Sequence, residues 1–124
     1  MAKILVIDDD HMLREMLCEY LSRAGYEVSE AEDGVQGLKA YTDNPTDLVI
    51  TDLMMPEKSG CETITEMKRS WPDVKIIAIS GGNQRGAGDF LPLAEYIGAS
   101  KTLAKPFALS EVTRAIEDLL QKTA

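Results

Sequence analysis

Three consecutive carboxylates, Asp8, Asp9 and Asp10, follow the apolar run Ile4-Leu5-Val6-Ile7 without a break. Another acid, Asp52, closes the run that begins Leu48-Val49-Ile50. Ser80 closes the run from Val74 to Ile79, and Lys105, followed by Pro106, comes after a weaker run near Lys101 to Ala104. Short unbroken apolar runs read as strands buried on both faces. If such strands are parallel, their carboxyl ends lie along one edge, and these carboxylates, a hydroxyl and an ammonium converge on one cleft. Crowded carboxylates raise one another's pKa, and burial raises it further, so the arrangement is best tolerated with a divalent cation present. Hard oxygen donors with few protein ligands suit Mg²⁺, which keeps several waters and favours a phosphoryl-bearing partner. Lys105 would offer a point charge to a phosphoryl oxygen and Ser80 a hydrogen bond.

Each of these residues also has a plainer explanation. Asp10 best fits the N-cap of the helix that follows, and Asp8 and Asp9 could cap it too. Asp52 before a proline loop could be turn chemistry, Ser80 a loop hydroxyl and Lys105 a solvated side chain. His11 stands without a Cys, Asp or Ser constellation and reads as a surface helix residue. The six methionines and four tyrosines sit mostly at helical spacing and are expected in the core. It is the joint placement of matched groups at four strand ends that outweighs the plainer explanations.

The elements that must position these groups alternate along the chain. Leu13, Met16, Leu17, Tyr20 and Leu21 recur at spacings of three and four, an amphipathic helix stopped by Gly25. Tyr26 to Ala31 reads as a second strand, and Asp33 caps a helix carrying Val35, Leu38 and Tyr41. Asn44-Pro45 ends it. After the third strand, Met54-Met55-Pro56 to Gly60 is loop and Cys61 to Trp71 a third helix. The glycine-rich stretch from Gly81 to Gly88 precedes a short helix around Phe90 to Ile97. Ser110 is expected to cap a last helix striped by Val112, Ala115, Ile116, Leu119 and Leu120. Strand followed by helix, five times over, implies an α/β fold with a parallel sheet covered by helices on both faces.

Length and charge narrow the function. At 124 residues the chain reads as one domain, 1–124, large enough to fold without disulfides or a structural metal. Thirteen Lys and Arg against 21 Asp and Glu give a net charge of −8, which disfavours nucleic acid and anionic membrane surfaces as partners. No apolar run approaches the roughly 20 residues of a membrane span, and the start reaches three acids too soon for a signal peptide. Cys18 and Cys61 lack metal-ligand spacing and read as reduced thiols of a cytoplasmic protein.

Together these motifs resemble a two-component response-regulator receiver domain. Ile4 to Asp10, Leu48 to Pro56 with Gly60, Ile79-Ser80 and Lys105-Pro106-Phe107 match its motifs in order over essentially the whole chain. The resemblance implies a flavodoxin-like, doubly wound five-stranded parallel sheet of order 2-1-3-4-5 with five helices. It implies Asp52 as phosphoacceptor, with Mg²⁺ bound by Asp9, Asp52 and the backbone carbonyl of Met54, and by Asp8 through a water. Ser80 and Lys105 would contact the phosphoryl group, and the Lys105–Pro106 bond would be cis. The donor would be a sensor histidine kinase or a histidine phosphotransfer protein, and the signal would pass to a downstream protein target. The chain would be a stand-alone regulator without an output domain, a monomer or weak dimer. It would not be an enzyme beyond its own phosphorylation and dephosphorylation.

Thr102 departs from the pattern, which usually has Tyr or Phe three residues before the lysine. The switch surface is therefore expected to rest on Gly81, Gly82, Phe90, Leu91 and Tyr96, with Thr102 in a lesser role. Met54 and Gly82 occupy the places that the family uses to orient a hydrolytic water, and neither side chain hydrogen-bonds water well. The glycine run lacks the Gly-Lys-Ser/Thr of a phosphate-cradling loop. Two other functions compete. Asp8-x-Asp10 after a strand has the shape of an Asp-nucleophile phosphohydrolase, but Met12 stands where those enzymes usually carry a small hydroxyl residue or Val, and the chain is expected to have no room for a substrate cap. A degenerate receiver used only for binding is disfavoured by the intact Asp9, Asp52, Ser80 and Lys105.

Overall fold

Strands and helices alternate in the order β1 (Lys3–Ile7), α1 (His11–Arg23), β2 (Glu27–Ala31), α2 (Gly34–Asp43), β3 (Leu48–Asp52), α3 (Gly60–Ser70), β4 (Ile76–Ser80), β5 (Lys101–Ala104) and α4 (Leu109–Gln121). The structure is a computed structural model and describes residues 2–53, 60–80 and 97–121. The expected helix around Phe90 lies outside those residues except for Ile97. So do Met54, Gly81, Gly82, Phe90, Leu91 and Tyr96 of the expected site and switch.

All strand pairings are parallel, and the order is β2-β1-β3-β4-β5. The central strands β1, β3 and β4 are continuous apolar sequence because both faces are covered. Leu5, Ile7, Val49, Ile76 and Ala78 pack with Ile64 and Met67 of α3 and Tyr41 of α2. Their strand neighbours Ile4, Val6, Leu48, Ile50, Ile77 and Ile79 pack with Leu17 and Leu21 of α1 and Val112 and Ile116 of α4. Each such buried aliphatic side chain contributes about 1.5–3 kcal/mol relative to exposure. The edge strands β2 and β5 are more exposed.

Local chemistry sets the element ends. Asp10 accepts a hydrogen bond from Leu13 N–H and Asp33 one from Gln36 N–H, capping α1 and α2. Gly25, at φ +103°, follows α1, and the N–H groups of Gly25 and Tyr26 return to the carbonyls of Ser22 and Leu21. Tyr26 is thereby held in the helix end, and β2 starts one residue later than expected. Val74 is likewise held in a turn by Trp71 carbonyl, so β4 begins at Ile76. α4 begins before Ser110, because the Glu111 carboxylate reaches back to accept from Ala108 N–H at 2.7 Å.

The methionines divide. Met67 is buried as expected, but Met12 is 80% exposed and Met16 46%. The face that α1 buries runs through Arg14, Leu17 and Leu21, which turns Met12 and Met16 outward. Among the described residues no helix is long and apolar enough to cross a membrane.

Candidate functional site

Strand register assembles the site. Ile7 of β1 lies opposite Thr51 of β3, so the next residues, Asp8 and Asp52, emerge side by side. Asp52 lies opposite Ile79, and Ser80 opposite Ala104, which brings the end of β4 and the Lys105 backbone to the same edge. The Lys105 N–H donates to Ser80 carbonyl at 2.9 Å, and the Lys105–Pro106 bond is cis. Lys105 directs its ammonium over the acids, with Nζ 3.6 Å from Asp52 Oδ2 and 4.0 Å from Asp8 Oδ2.

Carboxylate oxygens of Asp8, Asp9 and Asp52 lie within 4.8 Å of one another. Asp8 and Asp52 are buried and Asp9 is exposed, so the cluster opens to solvent through Asp9. Asp8 Oδ1 accepts from Asp10 N–H at 2.9 Å. Its Oδ2 is buried and has no hydrogen-bond partner, the ammonium at 4.0 Å being too distant for one. Burial chiefly pushes the Asp8 carboxyl up to about 7; Asp52 and Asp9 add to the rise, while the Asp10 N–H and Lys105 oppose it. A buried carboxylate with one oxygen unsatisfied, beside two more carboxylates, fits a hard divalent cation. Asp8, Asp9 and Asp52 are the residues that would hold it.

Ser80 is fully buried at the end of β4, and Thr51 Oγ donates to the Asp52 carbonyl at 3.1 Å. Thr102 is half-buried on β5 opposite Ala78, on the face of the sheet that α3 covers. The structure thus gathers Asp8, Asp9, Asp52 and Lys105 and sets Ser80 at the same edge, whereas Asp10 turns away to cap α1. Beside them Asp10, Leu13, Met16, Lys105, Pro106 and Phe107 line an open cleft of about 310 Å³.

The reading from sequence missed Arg14. Its guanidinium donates to the Asp8 carbonyl at 2.7 Å, to Glu30 Oε1 at 2.8 Å and to His11 Nδ1 at 3.0 Å. The signal was available in the spacing: Arg14 stands three residues before Leu17 and seven before Leu21, on the buried stripe of the helix. His11 is exposed, as expected, but it is tied into this group and to Glu15 at 3.1 Å.

A family model for the response regulator receiver domain matches residues 4–117. The chain is 34% identical over 132 residues to the response regulator MprA of Mycobacterium sp. (strain KMS), covering 99% of this chain and 52% of that protein. It therefore spans about half the length of the curated relatives it matches. Among solved structures, a response regulator receiver domain protein from Clostridium thermocellum superposes with a TM-score of 0.91 at 34% identity, covering 99% of this chain and 97% of that one. The response regulator TrrA of Thermotoga maritima, solved in complex with Mg²⁺ and BeF, superposes with a TM-score of 0.84 at 34% identity, covering 96% and 99%.

Proposed function

The chain belongs to the response regulator receiver family, and on that premise we propose that it is a phosphorylation-switched signalling module whose phosphoacceptor is Asp52. The observation that carries this reading is the placement of Asp52: its carboxylate stands within 4.8 Å of those of Asp8 and Asp9 and 3.6 Å from the Lys105 ammonium. An Asp52 oxygen attacks phosphorus, forming an O–P bond as the donor's P–N bond breaks, and the leaving imidazole takes a proton from solvent. The donor is a sensor histidine kinase or a histidine phosphotransfer protein. A bound Mg²⁺ would neutralise charge on the transferring oxygens; Asp8, Asp9 and Asp52 would hold it, Asp8 through a water, with the carbonyl of Met54, which lies outside the described residues, as the further ligand that the family resemblance implies. The complex of TrrA with Mg²⁺ supports this assignment. Lys105 pairs with the phosphoryl group, and the Ser80 hydroxyl moves to donate to it.

The aspartyl phosphate brings close to two negative charges, and the change passes from Ser80 through Gly81 and Gly82 to a surface at Phe90, Leu91 and Tyr96. Thr102, too small to act as an aromatic switch, supports the route in a lesser role. The target of that surface is a protein; a net charge of −8 disfavours nucleic acid. The module turns over no other substrate. It works in the cytoplasm, a reading supported by two free, partly buried thiols.

The test is incubation with acetyl phosphate and Mg²⁺, followed by intact mass and chemical stability. One phosphoryl group, acid-stable and base-labile, is expected on the wild-type chain and absent from Asp52→Asn. Phosphoryl transfer through Asp8 with many turnovers would point to a phosphohydrolase instead, and no adduct to a binding module.

A further inference from the structure

We propose that Arg14 is a positioning residue for the acidic site: its guanidinium fixes the peptide that joins Asp8 to Asp9, and through it the two carboxylates. The inference rests on the reading of Asp8, Asp9 and Asp52 as a divalent-cation site.

Asp8 is held on both sides of its Cα. Its N–H donates to Ala31 carbonyl at 3.1 Å, and its own carbonyl accepts from Arg14 at 2.7 Å. The second bond sets the plane of the Asp8–Asp9 peptide. That plane decides where the next Cβ, that of Asp9, points. Asp10 N–H then returns to Asp8 Oδ1, and Asp10 itself caps α1, so the loop is closed from the helix side as well.

Arg14 suits this work better than a lysine would. Its planar fork makes three directed bonds at once, to the Asp8 carbonyl, to Glu30 on β2 and to His11 in the first turn of α1. A guanidinium only donates, so His11 Nδ1 accepts, and its Nε2 carries the proton toward Glu15 at 3.1 Å. The side chain is 10% exposed, and Glu30 lies 2.8 Å from Nε. Glu30 takes up the positive charge, so the influence of Arg14 on the acids comes through the backbone it holds rather than through its field.

This separates two variants. Arg14→Gln removes the bond to the Asp8 carbonyl along with the ion pair. Glu30→Gln removes the charge of the pair and leaves Arg14 able to hold the carbonyl. Cation affinity is measured by titration with Mn²⁺ and with Mg²⁺, and motion of the Asp9 and Asp10 amides by NMR relaxation in EDTA. Arg14→Gln is expected to weaken the cation about tenfold or more and to loosen those amides without metal. Glu30→Gln is expected to stay within about twofold of the wild type in affinity, with both amides unchanged. If Arg14→Gln does not fold, Arg14→Lys takes its place, with the same direction expected.

A folded Arg14 variant that binds Mn²⁺ like the wild type overturns the proposal and leaves the cation site standing. Equal losses in Arg14→Gln and Glu30→Gln also overturn it, because the effect would then follow the ion pair. A wild-type chain that takes neither cation overturns the site reading and this proposal together.

Discussion

Asp8→Asn should stabilise the cation-free protein in alkaline solution and lose that advantage in acid. In the native fold the Asp8 carboxyl is pushed from 3.8 up to about 7, first by burial and then by the neighbouring Asp52 and Asp9. Between those values the folded chain keeps a proton that the unfolded chain has released. The wild type therefore loses stability as pH rises through this window, and the loss is complete above about pH 7. The full interval corresponds to about 4 kcal/mol at about 1.4 kcal/mol per tenfold change. Asparagine keeps an oxygen to accept from Asp10 N–H and carries no charge, but its amide must also be buried beside the Lys105 ammonium. A net gain of about 1–3 kcal/mol at about pH 8 is expected, and it should shrink by about 2–3 kcal/mol at about pH 5, where little more than a third of the window between the unfolded and folded values has been crossed. The assay is urea and thermal unfolding of both proteins in EDTA at the two pH values. The gain should appear as roughly 3–5 °C in Tm per kcal/mol. Adding Mg²⁺ at the higher pH should raise the wild type and close the gap. Equal stability at the higher pH, or the same gain at both, would refute the account of Asp8 as a buried charge awaiting a cation.

Lys105→Ala, which removes the ammonium 3.6 Å from Asp52, should slow adduct formation from acetyl phosphate by about tenfold or more while the far-ultraviolet spectrum is preserved; an unchanged time course by intact mass would count against its role. Gly60→Ala should cost about 1–3 kcal/mol in chemical unfolding, because its Cβ would meet the Asp52 carbonyl and come 2.6 Å from Leu53 Cα, and the backbone cannot yield without displacing the end of β3. Cys18, whose thiol is pushed up to about 11 mainly by burial, should react with a thiol reagent near neutral pH far more slowly than in the urea-unfolded chain; equal rates would show that the site is open.

The α/β class was legible because the signals are local and periodic. Buried parallel strands need continuous apolar sequence, and Ile4 to Ile7, Leu48 to Ile50 and Ile76 to Ile79 provide it. Asp10 and Asp33 were readable as caps because an N-cap oxygen reaches an N–H only three residues away. The site was legible in outline because Asp8, Asp52, Ser80 and Lys105 each follow such a run, and parallel strands end on one edge. Element ends were less so: Ser110 has the right residue type for a cap, but Glu111 reaches Ala108 first and starts the helix earlier.

Tertiary structure decided what depends on rotation and distance. Helical spacing sets Arg14 on the buried stripe of α1 with Leu17 and Leu21, but its partners, Glu30 and the Asp8 carbonyl, sixteen and six residues away, are supplied by the fold and not by periodicity. The partnerless state of Asp8 Oδ2 likewise depends on the lysine standing 4.0 Å away rather than at hydrogen-bond distance. Sequence determined which groups would meet at the sheet edge; packing determined how deeply they are buried and how far apart they stand, and burial first, then those separations, raises the Asp8 carboxyl.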